Sequence, residues 1–305
     1  MWSRILGTGV VIVAVAALGA WMVTKPDPHP ENYWAGPGKR DLGQPDLANG
    51  EKLFWAGGCA SCHAADGANG DALKTLSGGR ALPSPFGTFH IPNISPDEKA
   101  GIGAWTLAQF GNAMTRGVSP AGEHLYPSFP YGSYDRLTKA DVNDLFAYLK
   151  TLPKSQNVAP PHELGFPFNI RMAVGGWKFL YFTDQPRVAL ASADDKVKRG
   201  QYLVEGPGHC GECHTPRDQL GGFVKDRWLA GGPNPEGKGT IPDITPGGDI
   251  KSWSEADIVN YLQTGFTPEY DSAGGSMVEV QQNIAHLPQT DIEAIAAYLK
   301  SIPAR

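Results

Sequence analysis

The sequence predicts an all-α protein whose helical plan is laid down twice, behind an apolar N-terminal helix. Three observations predict it. The same amphipathic helix closes each half, as Asp141-Val-Asn-Asp-Leu-Phe-Ala-Tyr-Leu-Lys-Thr-Leu-Pro153 and Asp291-Ile-Glu-Ala-Ile-Ala-Ala-Tyr-Leu-Lys-Ser-Ile-Pro303. The landmarks before it recur in the same order, a proline loop and then a Trp that starts a helix: Ile91-Pro-Asn-Ile-Ser-Pro96 with Trp105, then Ile241-Pro-Asp-Ile-Thr-Pro246 with Trp253. The third observation is an uncharged run from Ile5 to Thr24, between Arg4 and Lys25. It is long enough to cross a bilayer as a helix.

Taken in order, residues 1–25 read as a membrane anchor spanning 5–24, or else as an export signal with Ala17-Leu18-Gly19 as a poor cleavage site. Trp21 suits the membrane interface at its outer end. Residues 26–44 hold four prolines and read as a spacer. A first domain spans 45–153 and opens with a helix from Asp46 to Ala56 containing Gly50. Residues 154–193, with Pro160-Pro161-His162 and a short helix about Trp177 to Phe182, read as a strap across both domains. His162 is expected to be a structural hydrogen-bonder. A second domain spans 194–305 and opens with a helix from Asp194 to Glu205 containing Gly200. In the closing helices, apolar residues at 142, 145, 146 and 149, and at 292, 295, 296 and 299, keep one face. Each glycine lets that closing helix approach, with Tyr148 and Tyr298 packed near the contact.

All four cysteines lie in two copies of one motif, Cys59-Ala-Ser-Cys62-His63 and Cys210-Gly-Glu-Cys213-His214. Two thiols three apart, followed at once by a histidine, are the attachment signature of a c-type haem. Cys59, Cys62, Cys210 and Cys213 would each bond a porphyrin side chain, with His63 and His214 as proximal iron ligands. Zinc and redox-disulfide readings of Cys-x-x-Cys leave the two histidines unexplained. Two covalent haems are expected, and no metal other than their iron. Haem of this kind is attached outside the cytoplasmic membrane, and the macrocycle supplies core to a loop-rich chain of 38 Gly and 26 Pro among 305 residues. The net charge of -5 gives no footprint for nucleic acid.

A sixth iron ligand is commonly a Met thioether, and the chain has five methionines. Met277, in Gly274-Gly-Ser-Met277 between the Trp253 helix and the last helix, is the expected ligand of the second haem. Its counterpart in the first half is Phe129, which cannot ligate. For the first haem Met114 is the candidate and His124 the alternative, with Tyr126, Tyr131 and an open position also weighed. His90 is expected near the haem edge, and Arg217, Asn93 and Asp243 are weak candidates for holding propionates or the proximal His.

Both halves resemble class I c-type cytochromes in their terminal helix pairs. The run from Phe86-Gly-Thr through Asn93-Ile-Ser-Pro-Asp97, Gly101-Ile-Gly-x-Trp105 and Leu125-Tyr-Pro-Ser-Phe-Pro-Tyr131 resembles the cytochrome c subunits of membrane-bound alcohol, aldehyde and gluconate dehydrogenases. Those subunits carry three haems and tend to carry Met where this chain has Phe129. The resemblance implies electron transfer from a periplasmic oxidation to the respiratory chain, between a redox protein donor and acceptor. The domains would face the periplasm from the bacterial inner membrane, or lie free in the periplasm if the segment is cleaved. No nucleotide loop or nucleophile–base pair points to substrate chemistry, so a carrier rather than an enzyme is expected. The alternative is a haem enzyme acting on peroxide or a sulfur oxyanion at an open first iron, with His124 as acid–base group.

Overall fold

The computed structural model describes residues 14–35, 42–183, 185–190, 194–234, 237 and 239–305. Helix α1 is described over 14–24, and its apolar side chains Val15, Leu18, Trp21, Met22 and Val23 are exposed. Among the described residues no helix is long and apolar enough to cross a membrane. The expected span begins at Ile5, and residues 1–13 lie outside the described residues.

Two helix pairs then repeat. In the first half α2 (Leu47–Ala56) packs on α6 (Lys139–Leu149), and in the second α8 (Asp195–Glu205) packs on α12 (Gln289–Ser301). The starts are written into the sequence: Asp46 accepts hydrogen bonds from the N–H groups of Ala48 and Asn49, and Asp194 from that of Val197. The pairs approach closely because the contact residue is glycine. A Cβ on Gly50 would run into the Asp144 carbonyl and come within 2.7 Å of Tyr148 Cβ. One on Gly200 would meet the Ala294 carbonyl and Tyr298 Cβ in the same way. Both tyrosines also have polar partners, Tyr148 donating to Glu51 at 2.9 Å and Tyr298 to the buried Glu205 at 2.6 Å.

Between the members of each pair lie a one-turn helix at the Cys-x-x-Cys-His motif, α3 (Cys59–His63) or α9 (Gly211–His214), and a longer helix, α4 (Leu107–Arg116) or α10 (Glu255–Thr264). Both longer helices open with a capping box, Thr106 with Gln109 and Ser254 with Asp257. Each half then has a further helix before its closing one, α5 (Tyr131–Tyr134) or α11 (Met277–Ile284).

The molecule is mostly helical rather than all-α. Strands β1 (Ala81–Ser84) and β2 (Gly87–His90) form a hairpin, and β3 (Glu163–Leu164) from the strap adds to β2. A two-residue pair, β4 (Gly232–Pro233) with β5 (Thr240–Ile241), lies in the second half. Strands of two to four residues are too short to show an alternating pattern, so periodicity does not announce them.

Residues 26–35, expected to begin a spacer, lie along α4 instead. His29 N–H donates to Asn112 Oδ1 at 2.8 Å, Asn112 Nδ2 donates back to the His29 carbonyl, and Arg116 pairs with Asp27. Trp34 is buried over Gly111, where a Cβ would strike its indole. The 154–183 stretch touches both halves through β3 and through helix α7 (Ala173–Tyr181). Lys178 donates to the Arg116 and Gly117 carbonyls, and Trp177 to that of Leu220 at 3.1 Å. Most of the buried apolar side chains of the two halves form one continuous cluster, with Phe89, Tyr126 and Val174 in a small separate one.

Candidate haem attachment sites

Each Cys-x-x-Cys-His motif occupies one helical turn, which brings its two thiols and its imidazole to one region of the fold. None of the four cysteines joins a disulfide. Among the described residues no three His, Cys, Asp or Glu side chains are gathered so as to hold a metal ion.

The proximal geometry is the same in both. His63 Nδ1 donates to the Pro92 carbonyl and His214 Nδ1 to the Pro242 carbonyl, each at 2.8 Å. With Nδ1 as the protonated nitrogen, Nε2 carries the lone pair that iron requires, and the carbonyl fixes the ring's orientation. Burial brings the His63 imidazole down to about 4, so it is neutral at ordinary pH, and burial lowers that of His214 in the same direction. The Cys59 and Cys210 thiols are pushed up to about 12, first by burial and then by the neighbouring Cys62 and Cys213. Two thiols and a pre-oriented imidazole fit a covalently held haem.

Sequence reasoning pointed to Asn93 and Asp243 beside these histidines. The structure uses the carbonyls one residue earlier. Asn93 Nδ2 donates instead to the Ser155 and Asn157 carbonyls, and Asp243 accepts from the Thr245 N–H. Arg217, a candidate for holding propionates or the proximal His, pairs with Glu212 inside the second motif. His90 belongs to the small sheet, with its ring 3.1 Å from Glu163 and its N–H donating to His162 Nδ1.

Met277 is the first residue of α11 and packs against the core, while Met114 is buried on α4. Phe129 packs against the rings of Tyr131 and Tyr134. His124 is buried, and its Nε2 donates to the Thr24 carbonyl at 2.7 Å, which ties it to the end of α1.

A set of contacts that sequence reasoning missed joins each motif to the opposite half. Asn283, on α11, donates to Ser61 of the first motif at 2.6 Å, and Glu279 pairs with Arg80 at 3.3 Å. Ser133, on α5, donates to Glu212 of the second motif at 3.0 Å, and Arg136 lies 3.6 Å from the buried Glu205. His209 Nε2 donates across to the Gly57 carbonyl at 3.2 Å, which also accepts from Tyr134 of its own half at 3.1 Å.

A family model described as cytochrome c matches residues 47–153. The chain is 52% identical over 302 residues to a dihaem cytochrome c-type protein of Cereibacter sphaeroides, covering 99% of each. It is 40% identical to the fructose dehydrogenase cytochrome subunit of Gluconobacter japonicus, with 86% of this chain and 54% of that one covered. It is 34% identical to the cytochrome c subunit of a quinone-type alcohol dehydrogenase of Gluconobacter oxydans, with 87% of this chain and 56% of that one covered. The chain thus spans nearly all of the first relative and about half the length of the other two.

Proposed function

Because this chain belongs to the dihaem c-type cytochromes, we propose that it is an electron carrier holding two covalent haem c groups, between a dehydrogenase-type donor and the respiratory chain. The observation that carries this reading is the doubled site: two Cys-x-x-Cys-His turns, each with its histidine Nδ1 bound to a proline carbonyl. The relatives named as dehydrogenase cytochrome subunits support the class of donor.

In this reading Cys59 and Cys62 hold one haem and Cys210 and Cys213 the other. Bound there, the group supplies a one-electron ferric/ferrous couple. The chain's own part is to fix each imidazole, with His63 and His214 as proximal ligands and Met277 as the second ligand of the second haem. Met114, with His124 as alternative, is assigned to the first. The hydrogen bond from His124 Nε2 to Thr24 weighs toward Met114. Two tandem class I domains, 45–153 and 194–305, are joined by the 154–193 strap, with residues 5–24 as anchor and the domains facing the periplasm. The resemblance to membrane-bound dehydrogenase subunits supports that placement.

Phe129, opposite Met277 in the repeat, favours one second reading: an open first iron with peroxide or sulfur-oxyanion chemistry. Carbon monoxide separates the two. The reduced full-length protein is expected to show two haems by pyridine haemochrome and no carbon monoxide binding at neutral pH. Binding at one haem in the wild type would support the enzyme. If that binding is the same in Met114→Ala, Met114 is not the ligand. A single haem per chain would overturn the carrier as described.

A further inference from the structure

The residue before the first cysteine of each motif adopts a left-handed conformation, Gly58 with φ +57 and His209 with φ +36. Glycine enters this region without steric penalty, whereas a residue with a Cβ is strained there. The first half therefore has the residue the backbone favours, and the second half has histidine. Strain of this kind persists where the surroundings hold it in place, and it gathers at functional positions.

The surroundings here belong to the opposite half. The His209 ring crosses to the first motif, where Nε2–H donates to the Gly57 carbonyl at 3.2 Å. Its ring stands edge-on to Tyr134, with centroids 5.6 Å apart at 81°. Tyr134 is itself buried and donates to the same carbonyl at 3.1 Å. Gly57 is two residues from Cys59, and His209 is bonded directly to Cys210. Covalent bonds run from Cys59 through Gly58 to the Gly57 carbonyl, one hydrogen bond crosses the boundary, and covalent bonds run from the imidazole to Cys210. The contact between Asn283 and Ser61 also crosses, but Asn283 is six residues from Met277, so that route is longer. The bridge runs one way only, because Gly58, the counterpart of His209, has no side chain to reach back.

We propose that His209 is the electronic bridge between the two haem attachment turns, positioned by a strained backbone so that its imidazole links Gly57 to Cys210. The inference rests on the two-haem reading above. One electron crosses from the reduced to the oxidised side. No bond forms or breaks, and the Nε2 proton stays on the ring. As the bridge touches neither iron, it acts as a positioning residue for transfer between the haems.

The test uses the full-length haem-loaded protein. Haem content is counted, both reduction potentials and the thermal midpoint are measured, and one electron is injected by pulse radiolysis to follow its redistribution between the haems. His209→Gly relieves the backbone and removes the ring. It is expected to keep both haems and both potentials, to melt no lower than the wild type, and to slow redistribution several-fold. His209→Gln, which offers an amide donor of similar reach, is expected to recover part of the rate. Tyr134→Phe removes the other bond to Gly57 and is expected to leave the rate nearly unchanged. An unchanged rate in His209→Gly with both haems present would overturn the bridge and leave the carrier standing. Equal slowing in His209→Gly and Tyr134→Phe, with lower melting in both, would make His209 a clamp and likewise overturn the bridge. A wild type with fewer than two haems would overturn the carrier itself.

Discussion

At Gly200 a single methyl group decides whether α8 and α12 can meet. Its Cβ would drive into the Ala294 carbonyl, which belongs to a helix backbone and cannot yield as a flexible side chain would. Gly200→Ala is therefore expected to destabilise the haem-loaded protein by about 1–3 kcal/mol, as overpacking does, read from urea denaturation. The tyrosine that closes the same contact in the first half gives a pH test. Glu51 is held below the ordinary carboxylate range by hydrogen bonds from Lys74 and then from Tyr148. Its contribution is thus present above that range and lost as the pH falls through the lowered value. The Tyr148 hydroxyl is pushed up to about 12, first by burial and then by Glu51. Its contribution is present below the ordinary tyrosine value and lost as the pH rises through about 12. Tyr148→Phe is expected to cost about 1 kcal/mol at neutral pH and to make both the acid and the alkaline falls shallower across a pH series. The glycines, tyrosines and Cys-x-x-Cys-His turns were legible in the sequence because side-chain identity carries their role. The Pro92 and Pro242 carbonyls were not, since every residue has a carbonyl and only the fold selects one. His209 was likewise invisible, because its partner is a backbone atom of the other half.

Among the elements, α4 and α10 begin the same way although their sequences differ. Each has a hydroxyl cap answered by a side chain three residues on, Thr106 by Gln109 and Ser254 by Asp257. Thr106→Ala and Ser254→Ala should each cost about 1 kcal/mol, measured as a shift in the thermal midpoint with haem content unchanged. A loss well below that in Ser254→Ala would mean that tertiary packing, not the cap, sets where α10 begins. The paired helices were legible nearly to the residue, α2 starting one after Asp46 and α8 one after Asp194. Periodicity and capping point the same way there. The closing helices start two residues earlier than expected, at Lys139 and Gln289. The β1–β2 hairpin was missed because it reverses at Pro85-Phe86 with only four residues on each side, and β3 arrives from a segment seventy-odd residues on. The packing of residues 26–35 on α4 was not legible for a different reason. Proline-rich composition predicts an extended backbone but not whether a neighbour, here α4, binds it.

Across the whole molecule, each half places a short helix, α5 or α11, on the other half's Cys-x-x-Cys-His turn, so the two sites are built jointly. Arg136 shows the energetic side of this. It lies with Asp135 at 2.9 Å and Glu205 at 3.6 Å, and Glu205 is 1% exposed. Arg136→Ala removes a charge partner from that buried carboxylate and should cost about 3 kcal/mol, detected by calorimetry of the haem-loaded protein. A cost under about 1 kcal/mol would mean that the bonds from Tyr298, Gln201 and the Arg187 and Val188 N–H groups already satisfy Glu205. The repeat was legible in sequence, but the crossing was not, because offsets between copies say nothing of how the copies face one another. The clasp along α4 has a mechanical meaning. Ten freely jointed residues would let their ends wander by roughly 18 Å, the behaviour of a leash. From Thr24 to Trp34 the chain has no such slack, since the Thr24 carbonyl holds His124, Asp27 holds Arg116, and His29 holds Asn112. Helix α1 is thus a bracket. Its C-terminal end is pinned to the first half at three successive points rather than hung from it.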